Sequence, residues 1–213
     1  MRFDLVAFDL YGTLLAIERL ESALAAIVGG DARKLLADWR NAQLARTWEL
    51  NQRGDYEPFG DVTARALAQV APHLGPLAME RACQAWLTVP AHPDALPALQ
   101  KLRVGGVRCA VLSNGTAPMI RSALDAAALP IDEVRSVDEV RVYKPDPRVY
   151  ALLDTMAPRE RTLFVSSNGW DAEGCKRTGR IVAYVDRGGN PPNLPTDLRL
   201  ESLGDLARPG RLL

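Results

Sequence analysis

The apolar run Leu5-Val6-Ala7-Phe8 stops abruptly at Asp9-Leu10-Tyr11-Gly12-Thr13. A short apolar stretch bounded by turn residues reads as a buried strand. A chain that opens on such a strand must draw the rest of its sheet from further along, and it does so in alternation with helical patterns. Strands are predicted at Val107–Leu112, Val134–Val137, Thr162–Val165 and Ile181–Val185, and helices at Leu96–Val104, Ala117–Ala127, Pro147–Met156 and Ala172–Thr178. This alternation implies an α/β fold, a parallel sheet covered by helices. Gly188 to Pro195, rich in Gly, Pro and Asn, reads as a loop.

One segment departs from the alternation. From about Glu18 to Val89, Ala, Leu, Arg and Gln dominate and apolar residues recur at helical spacing. Breaks at Gly29-Gly30, Gly54 to Pro58 and Pro72 to Pro76 divide the segment into four helices. Residues 16–89 are therefore expected to form a helical insertion, with residues 1–15 and 90–213 forming the sheet domain. The helix over Ala32–Gln52 carries Leu35, Leu36, Trp39, Gln43 and Leu44, so Arg40 can project from the edge of a packed face.

In open α/β sheets ligands bind beyond the carboxyl ends of the strands. Asp9 sits there, followed by Gly12 and Thr13, which suit a sharp turn whose N–H groups can face an anion. On this pentapeptide alone, a turn-capping Asp and a nucleophile are equally good readings. Later clusters favour the nucleophile. Ser113-Asn114-Gly115-Thr116 follows the second strand and can start a helix, bringing a hydroxyl and an amide beside Asp9. Lys144 precedes Pro145, which restricts the lysine to an extended backbone and itself suits the first turn of a helix. A lysine there can hold a buried carboxylate ionised. Ser166-Ser167-Asn168-Gly169-Trp170-Asp171 follows Val165 as a polar cluster that no apolar core needs.

Asp, Ser, Lys and an acidic loop, in that order, resemble the four motifs of the haloacid dehalogenase superfamily, and in particular its L-2-haloacid (type II) branch. The resemblance rests on Phe8 to Leu14, Leu112 to Gly115, Val142 to Asp146 with Arg148-Val149-Tyr150, Phe164 to Ala172, and Trp39 to Leu44 followed by Thr47-Trp48. It spans nearly the whole chain. It implies a Rossmann-like core with a helical cap inserted after the first strand. Arg40, Leu44 and Phe59 would then lie on the cap and Asp9, Ser113, Lys144 and Asp171 on the core, around a pocket between the two.

Two positions bear on the chemistry by what they lack. Phosphatases of the superfamily carry a second Asp two residues after the nucleophile, as general acid, and an acidic pair in the fourth motif that helps hold Mg²⁺. Here the first place holds Tyr11 and the nearer acid of the pair is Ser167, leaving Asp171. Mg²⁺ prefers hard oxygen ligands, usually including carboxylates, whereas expulsion of a halide needs no proton. The resemblance thus implies an (S)-2-haloacid dehalogenase, needing no metal or other cofactor, that hydrolyses C2 to C4 2-haloalkanoic acids through an aspartyl ester. Asp9 attacks C2, the halide leaves, and water cleaves the ester. Lys144 holds Asp9 ionised, with Thr13 and Tyr150 as supporting hydrogen-bond partners. Ser113 receives the substrate carboxylate, and Arg40 and Asn114 cradle the halide, a use that fits a weakly hydrated guanidinium. Asn168 and Ser166 hold the hydrolytic water, while Asp171 orients Lys144 or helps to activate that water. Tyr11, Leu44, Phe59 and Trp170 wall the pocket and exclude water, although core packing accounts for Leu44 or Phe59 taken singly. Asn41 stands where a different polar residue, often Gln, is expected. A Mg²⁺-dependent phosphohydrolase of the same fold and a binding protein without turnover are the competing readings.

With 26 basic and 26 acidic residues, the chain has no net field to attract nucleic acid or an anionic membrane. A hydrophobic content of 47% argues against disorder, and no apolar run reaches the length of a membrane span. Asp4 and Asp9 interrupt what would be the apolar part of a signal peptide, so a cytoplasmic protein is expected. Cys83, Cys109 and Cys175 are odd in number, lack metal-type spacing and read as reduced thiols. His73 and His92, each beside a proline, read as loop or helix-end residues, which excludes a His-based triad. The resemblance adds the expectation of a homodimer joined through the cap.

Overall fold

The computed structural model describes residues 3–28 and 30–207. The predicted break at Gly29 and the extreme ends of the sheet domain lie outside the described residues. Strand β1 (Leu5–Phe8) leads through a 3-10 turn at Ile17–Arg19 into four helices, α1 (Leu20–Val28), α2 (Ala32–Arg53), α3 (Phe59–Val70) and α4 (Pro76–Ala85). The chain continues as α5 (Ala95–Val104), β2 (Arg108–Ser113), α6 (Ala117–Ala126), β3 (Glu133–Ser136), α7 (Pro147–Ala151), β4 (Thr162–Ser166), α8 (Gly169–Arg177), β5 (Ile181–Val185) and β6 (Leu198–Leu200). Among the described residues no helix is long and apolar enough to cross a membrane.

The six strands form one parallel sheet in the order β3-β2-β1-β4-β5-β6. Strand β1 is central, with Phe8 opposite Val111 on one side and Val165 on the other. Its side chains alternate between two cores: Val6 and Phe8 join one apolar cluster, Leu5 and Ala7 the other. A strand buried on both faces must be apolar throughout, which is why Leu5-Val6-Ala7-Phe8 has no polar member. The chain winds out from β1 to β3 and returns to the far side at β4, so the strand order reverses between β1 and β4. That reversal opens a crevice at the strand ends. The Asp9 N–H donates to the Val165 carbonyl at 2.9 Å, which extends the ladder past Phe8 and fixes Asp9 beside the start of the β4 loop.

Helices α1 to α4 pack on one another as a layer. Asp31 caps α2 by accepting the Lys34 N–H at 2.9 Å, and Gly54 ends the helix at φ +69°. Trp39 and Gln43 of α2 both reach Thr63 of α3, Trp39 through Nε1 to the carbonyl at 2.8 Å and Gln43 through Nε2 to the hydroxyl at 2.9 Å. These bonds fix the rotation of α2, and hence the direction of Arg40.

Several boundaries differ from expectation. Helix α8 starts at Gly169 rather than Ala172, and the helix expected over Pro147–Met156 is α-helical only to Ala151, continuing as a 3-10 turn at Leu152–Thr155. Pro145 is not in the first turn of α7; Asp146 caps that helix and Pro147 opens it. Lys144 therefore lies in the loop after the 3-10 turn Val137–Glu139 and not directly at a strand end. Strand β6 was not expected.

Candidate active site

Asp9 is held by three donors. Its Oδ1 receives the Lys144 ammonium at 3.1 Å, and its Oδ2 receives the Thr13 hydroxyl at 3.0 Å and Asn168 Nδ2 at 2.7 Å. Gly12, at φ +92°, adopts the left-handed conformation that favours glycine and turns the chain so that Thr13 points back at Asp9. Thr13 Oγ1 also accepts the Ser167 N–H at 2.9 Å, while the Ser167 hydroxyl donates to the Gly12 carbonyl at 2.8 Å. Ser167, at the position of the missing acid, thus joins the β4 loop to the Asp9 loop.

The Lys144 ammonium bridges two carboxylates, Asp9 at 3.1 Å and Asp171 at 3.0 Å. Asp171 is sealed from solvent: Oδ2 also accepts from the Ser166 hydroxyl at 2.9 Å, and Oδ1 from the Tyr150 hydroxyl at 2.7 Å. Burial pulls the lysine pKa down, but attraction to Asp171 and Asp9 outweighs it and holds the group above its ordinary value, fully charged. Burial pushes Asp171 up against the opposing pull of Lys144. Burial, and then the neighbouring Asp171, raise Tyr150 well above the usual phenol range, so it serves as a donor. Ser166 is wholly buried and its hydroxyl is engaged with Asp171. The same hydroxyl accepts the Asn168 N–H at 3.1 Å.

Ser113 closes β2, and its Oγ accepts the Gly115 N–H at 3.1 Å. Asn114 Oδ1 accepts the Lys144 N–H at 3.0 Å, so this side chain fastens the lysine loop. Arg40 projects from α2; burial lowers its pKa, while Asp9, Tyr11 and Asp171 pull it back up. Among the described residues no carboxylate forms an ion pair with its guanidinium. The Tyr11 ring meets Trp86 edge-on at 5.5 Å and its hydroxyl donates to the Trp86 carbonyl at 3.1 Å. Leu44 is half-buried, whereas Phe59 is wholly buried against Tyr143, ring centroids 6.0 Å apart. Trp170 is half-buried and meets Trp48 of α2 edge-on at 6.3 Å, on an outer groove of about 1050 Å³. The four arginines of that groove are paired, Arg148 with Asp146, Arg159 and Arg180 with Asp154, and Arg177 with Glu173.

The sequence profile of the haloacid dehalogenase-like hydrolases matches residues 3–179. The chain is a haloacid dehalogenase-like hydrolase. Among similar members, (S)-2-haloacid dehalogenase H-109 of Pseudomonas putida is 38% identical over 86% of this chain and 86% of its own length. (S)-2-haloacid dehalogenase 1 of Pseudomonas sp. (strain CBS-3) is 36% identical over 93% and 92%. The structure of L-2-haloacid dehalogenase from Xanthobacter autotrophicus with chloropropionic acid covalently bound superposes with a TM-score of 0.90 at 29% identity, covering 97% of both chains.

Hydrolases of this superfamily that use Mg²⁺ need a set of hard oxygen ligands. In this haloacid dehalogenase-like hydrolase the place between Asp9 and Asp171 is taken by Lys144, and Ser167 offers a hydroxyl already committed to Gly12. The donor set does not fit Mg²⁺. Among the described residues no group of three or more His, Cys, Asp or Glu side chains could hold a metal ion.

Sequence reasoning missed the groups that support the hydrolase's Asp9 loop from behind. His92, a loop residue as expected, donates from Nε2 to the Gly12 carbonyl at 3.2 Å. Arg187 donates to the Thr13 carbonyl at 3.2 Å while pairing with Asp94 at 2.7 and 2.9 Å. Their partners are backbone carbonyls far away in sequence, and no motif signals such contacts. Gly174 had a weak signal, a glycine inside a helical pattern. A Cβ at that position would lie 2.4 Å from Pro145 Cβ.

Proposed function

We propose that this protein is an (S)-2-haloacid dehalogenase that hydrolyses short 2-haloalkanoic acids to 2-hydroxy acids and halide through an ester on Asp9, without a metal or organic cofactor. The observation that carries the proposal is Asp9 paired with the Lys144 ammonium at 3.1 Å, in the field of a half-buried Arg40 that forms no ion pair with a described carboxylate. A nucleophile and a place for a departing anion are thereby combined. A phosphomonoesterase would need a proton donor at position 11, yet the Tyr11 hydroxyl is committed to Trp86. The relatives named above share the proposed activity in their names.

Asp9 Oδ1 carries one donor and Oδ2 carries two, which favours Oδ1 as the attacking atom. Oδ1 bonds to C2 as the carbon–halogen bond breaks, and the electron pair leaves on the halide toward Arg40 and the amide of Asn114. Oδ2 becomes the ester carbonyl oxygen. Thr13 and Asn168 already donate to it, as an oxyanion in the second step requires. Water adds to Cγ, the Cγ–Oδ1 bond breaks, and the 2-hydroxy acid departs with Oδ1; one proton is released overall. The Lys144 ammonium on Asp171, with Ser166 and Tyr150 fixing that carboxylate, supports the lysine-orienting role for that residue. Ser113 receives the substrate carboxylate, with Tyr11, Leu44, Phe59 and Trp170 as apolar surroundings and Tyr150 behind Asp171. Residues 16–89 serve as the cap and residues 1–15 and 90–213 as the core of a cytoplasmic homodimer.

Halide release from L- and D-2-chloropropionate in the presence of EDTA, with p-nitrophenyl phosphate and Mg²⁺ in parallel, tests the proposal. Chloride from the L form alone, unaffected by EDTA, is expected. Mg²⁺-dependent phosphate release without halide would overturn it, and full activity in Asp9→Asn would exclude the covalent route.

A further inference from the structure

The helix that carries Arg40 also holds the backbone beside Lys144. Asn51 of α2 donates from Nδ2 to the Tyr143 carbonyl at 2.8 Å and accepts the Tyr143 N–H on Oδ1 at 2.9 Å. One carboxamide thus satisfies both backbone groups of the residue immediately before Lys144, as a neighbouring strand would. The next N–H, that of Lys144, goes to Asn114 at 3.0 Å, and Pro145 has none to offer. This segment between β3 and α7 forms no strand of its own. Two asparagine side chains, one from the helical layer and one from the sheet side, supply its backbone partners. The Tyr143 side chain is gripped by the same layer: Tyr56 stacks on it at 5.4 Å, Phe59 packs at 6.0 Å, and its hydroxyl donates to the Glu57 carbonyl.

Arg40, Leu44 and Asn51 are separated by about one and about three helical turns at 3.6 residues per turn, which places them along one side of α2. Asn51 therefore sets how far α2 slides along the core, and with it the height of Arg40, about 16 Å up the axis at 1.5 Å per residue. Aromatic packing around Tyr143 holds the layers together but tolerates small slips. A paired amide–backbone contact is directional and tolerates them poorly.

We propose that Asn51 is a positioning residue for this reaction, coupling the seating of α2 and its Arg40 to the placement of the Lys144 ammonium on Asp9. This role rests on the haloacid reaction proposed for the site. It also predicts which step suffers more. Ester formation needs both Arg40 and Lys144 in place, whereas ester hydrolysis has no departing halide for Arg40 to receive.

Single-turnover kinetics of Asn51→Leu and Asn51→Asp, with enzyme in excess of L-2-chloropropionate, supply the test. Asn51→Leu removes both contacts; Asn51→Asp keeps the acceptor for the Tyr143 N–H. The rate constant for halide release should fall at least tenfold in Asn51→Leu and by an intermediate factor in Asn51→Asp. The rate constant for loss of the Asp9 adduct, followed by mass spectrometry, should fall less. At saturating enzyme these rate constants do not depend on the fraction of folded protein, so a purely structural role would lower the melting temperature while leaving them unchanged. If Asn51→Leu yields no folded protein, Asn51→Asp decides. Unchanged rate constants beside an active wild type overturn the positioning role alone, whereas a wild type that releases no halide overturns the haloacid reaction and this role with it.

Discussion

A side chain absent from position 174 decides how closely α8 approaches the lysine loop. A Cβ there would meet Pro145 Cβ at 2.4 Å and the Tyr150 hydroxyl at 2.9 Å, and neither neighbour is free to move without shifting Lys144 or Asp171. Gly174→Ala should therefore cost about 1–3 kcal/mol of stability, as overpacking does, and lower halide release at least tenfold; urea unfolding and the chloride assay check both. Asp171→Asn keeps the shape and removes the charge that orients Lys144. Ester formation should slow more than ester hydrolysis, so intact-mass spectrometry should find no accumulating Asp9 adduct. Asp9, Thr13, Lys144, Asn168 and Asp171 were legible in the sequence because each belongs to a short motif whose place in the fold is set by an adjacent apolar run or proline. The inward turn of the Ser166 hydroxyl to Asp171 is a contact that its motif does not signal. His92, Arg187 and Asn51 bond to backbone atoms remote in sequence, and residue type alone does not announce such bonds.

The strands of the sheet interior were legible as elements because burial on both faces demands uninterrupted apolar runs, as in β1 and β5. Their ends move by a residue where a polar side chain still joins the ladder, as Ser113 and Ser166 do. Strand β6 escaped notice because it is three residues long with exposed Arg199 at its centre. An acidic bracket ties its neighbourhood to α5 and to the Asp9 loop. Asp94 pairs with Arg187 and accepts the Leu203 N–H at 2.9 Å. Burial alone would raise the Asp94 pKa, but hydrogen bonds from Arg187 and Leu203 outweigh it and hold the carboxyl below its ordinary value. A depressed folded-state pKa contributes stability above the unfolded value, about 3.9 for Asp, and that contribution is lost as pH falls through the folded value. Asp94→Asn should accordingly cost about 1–3 kcal/mol at pH 7, with the gap to wild type closing below about pH 4. Urea midpoints measured across that range check the sign, and a gap unchanged at pH 3 would contradict it.

Across the whole molecule, the site depends on the β1–β4 crevice meeting the face of α2. The sheet supplies Asp9 and Asp171 from either side of its topological switch, and α2 contributes Arg40 and, through Tyr143, a hold on Lys144. Half-burying the Arg40 guanidinium without an ion-pair partner carries a desolvation cost. Arg40→Ala should therefore leave the melting temperature unchanged or raise it, while halide release falls by about two orders of magnitude. A large loss of stability would make Arg40 a structural residue. The most direct test of a covalent Asp9 ester is a single turnover in H₂¹⁸O with enzyme in excess of L-2-chloropropionate. Attack by Asp9 followed by water at Cγ predicts that the 2-hydroxy acid of the first turnover is unlabelled and that ¹⁸O appears in the peptide containing Asp9. Label in the first-turnover product, with none in Asp9, would mean that water displaces the halide directly and that Asp9 is not the nucleophile.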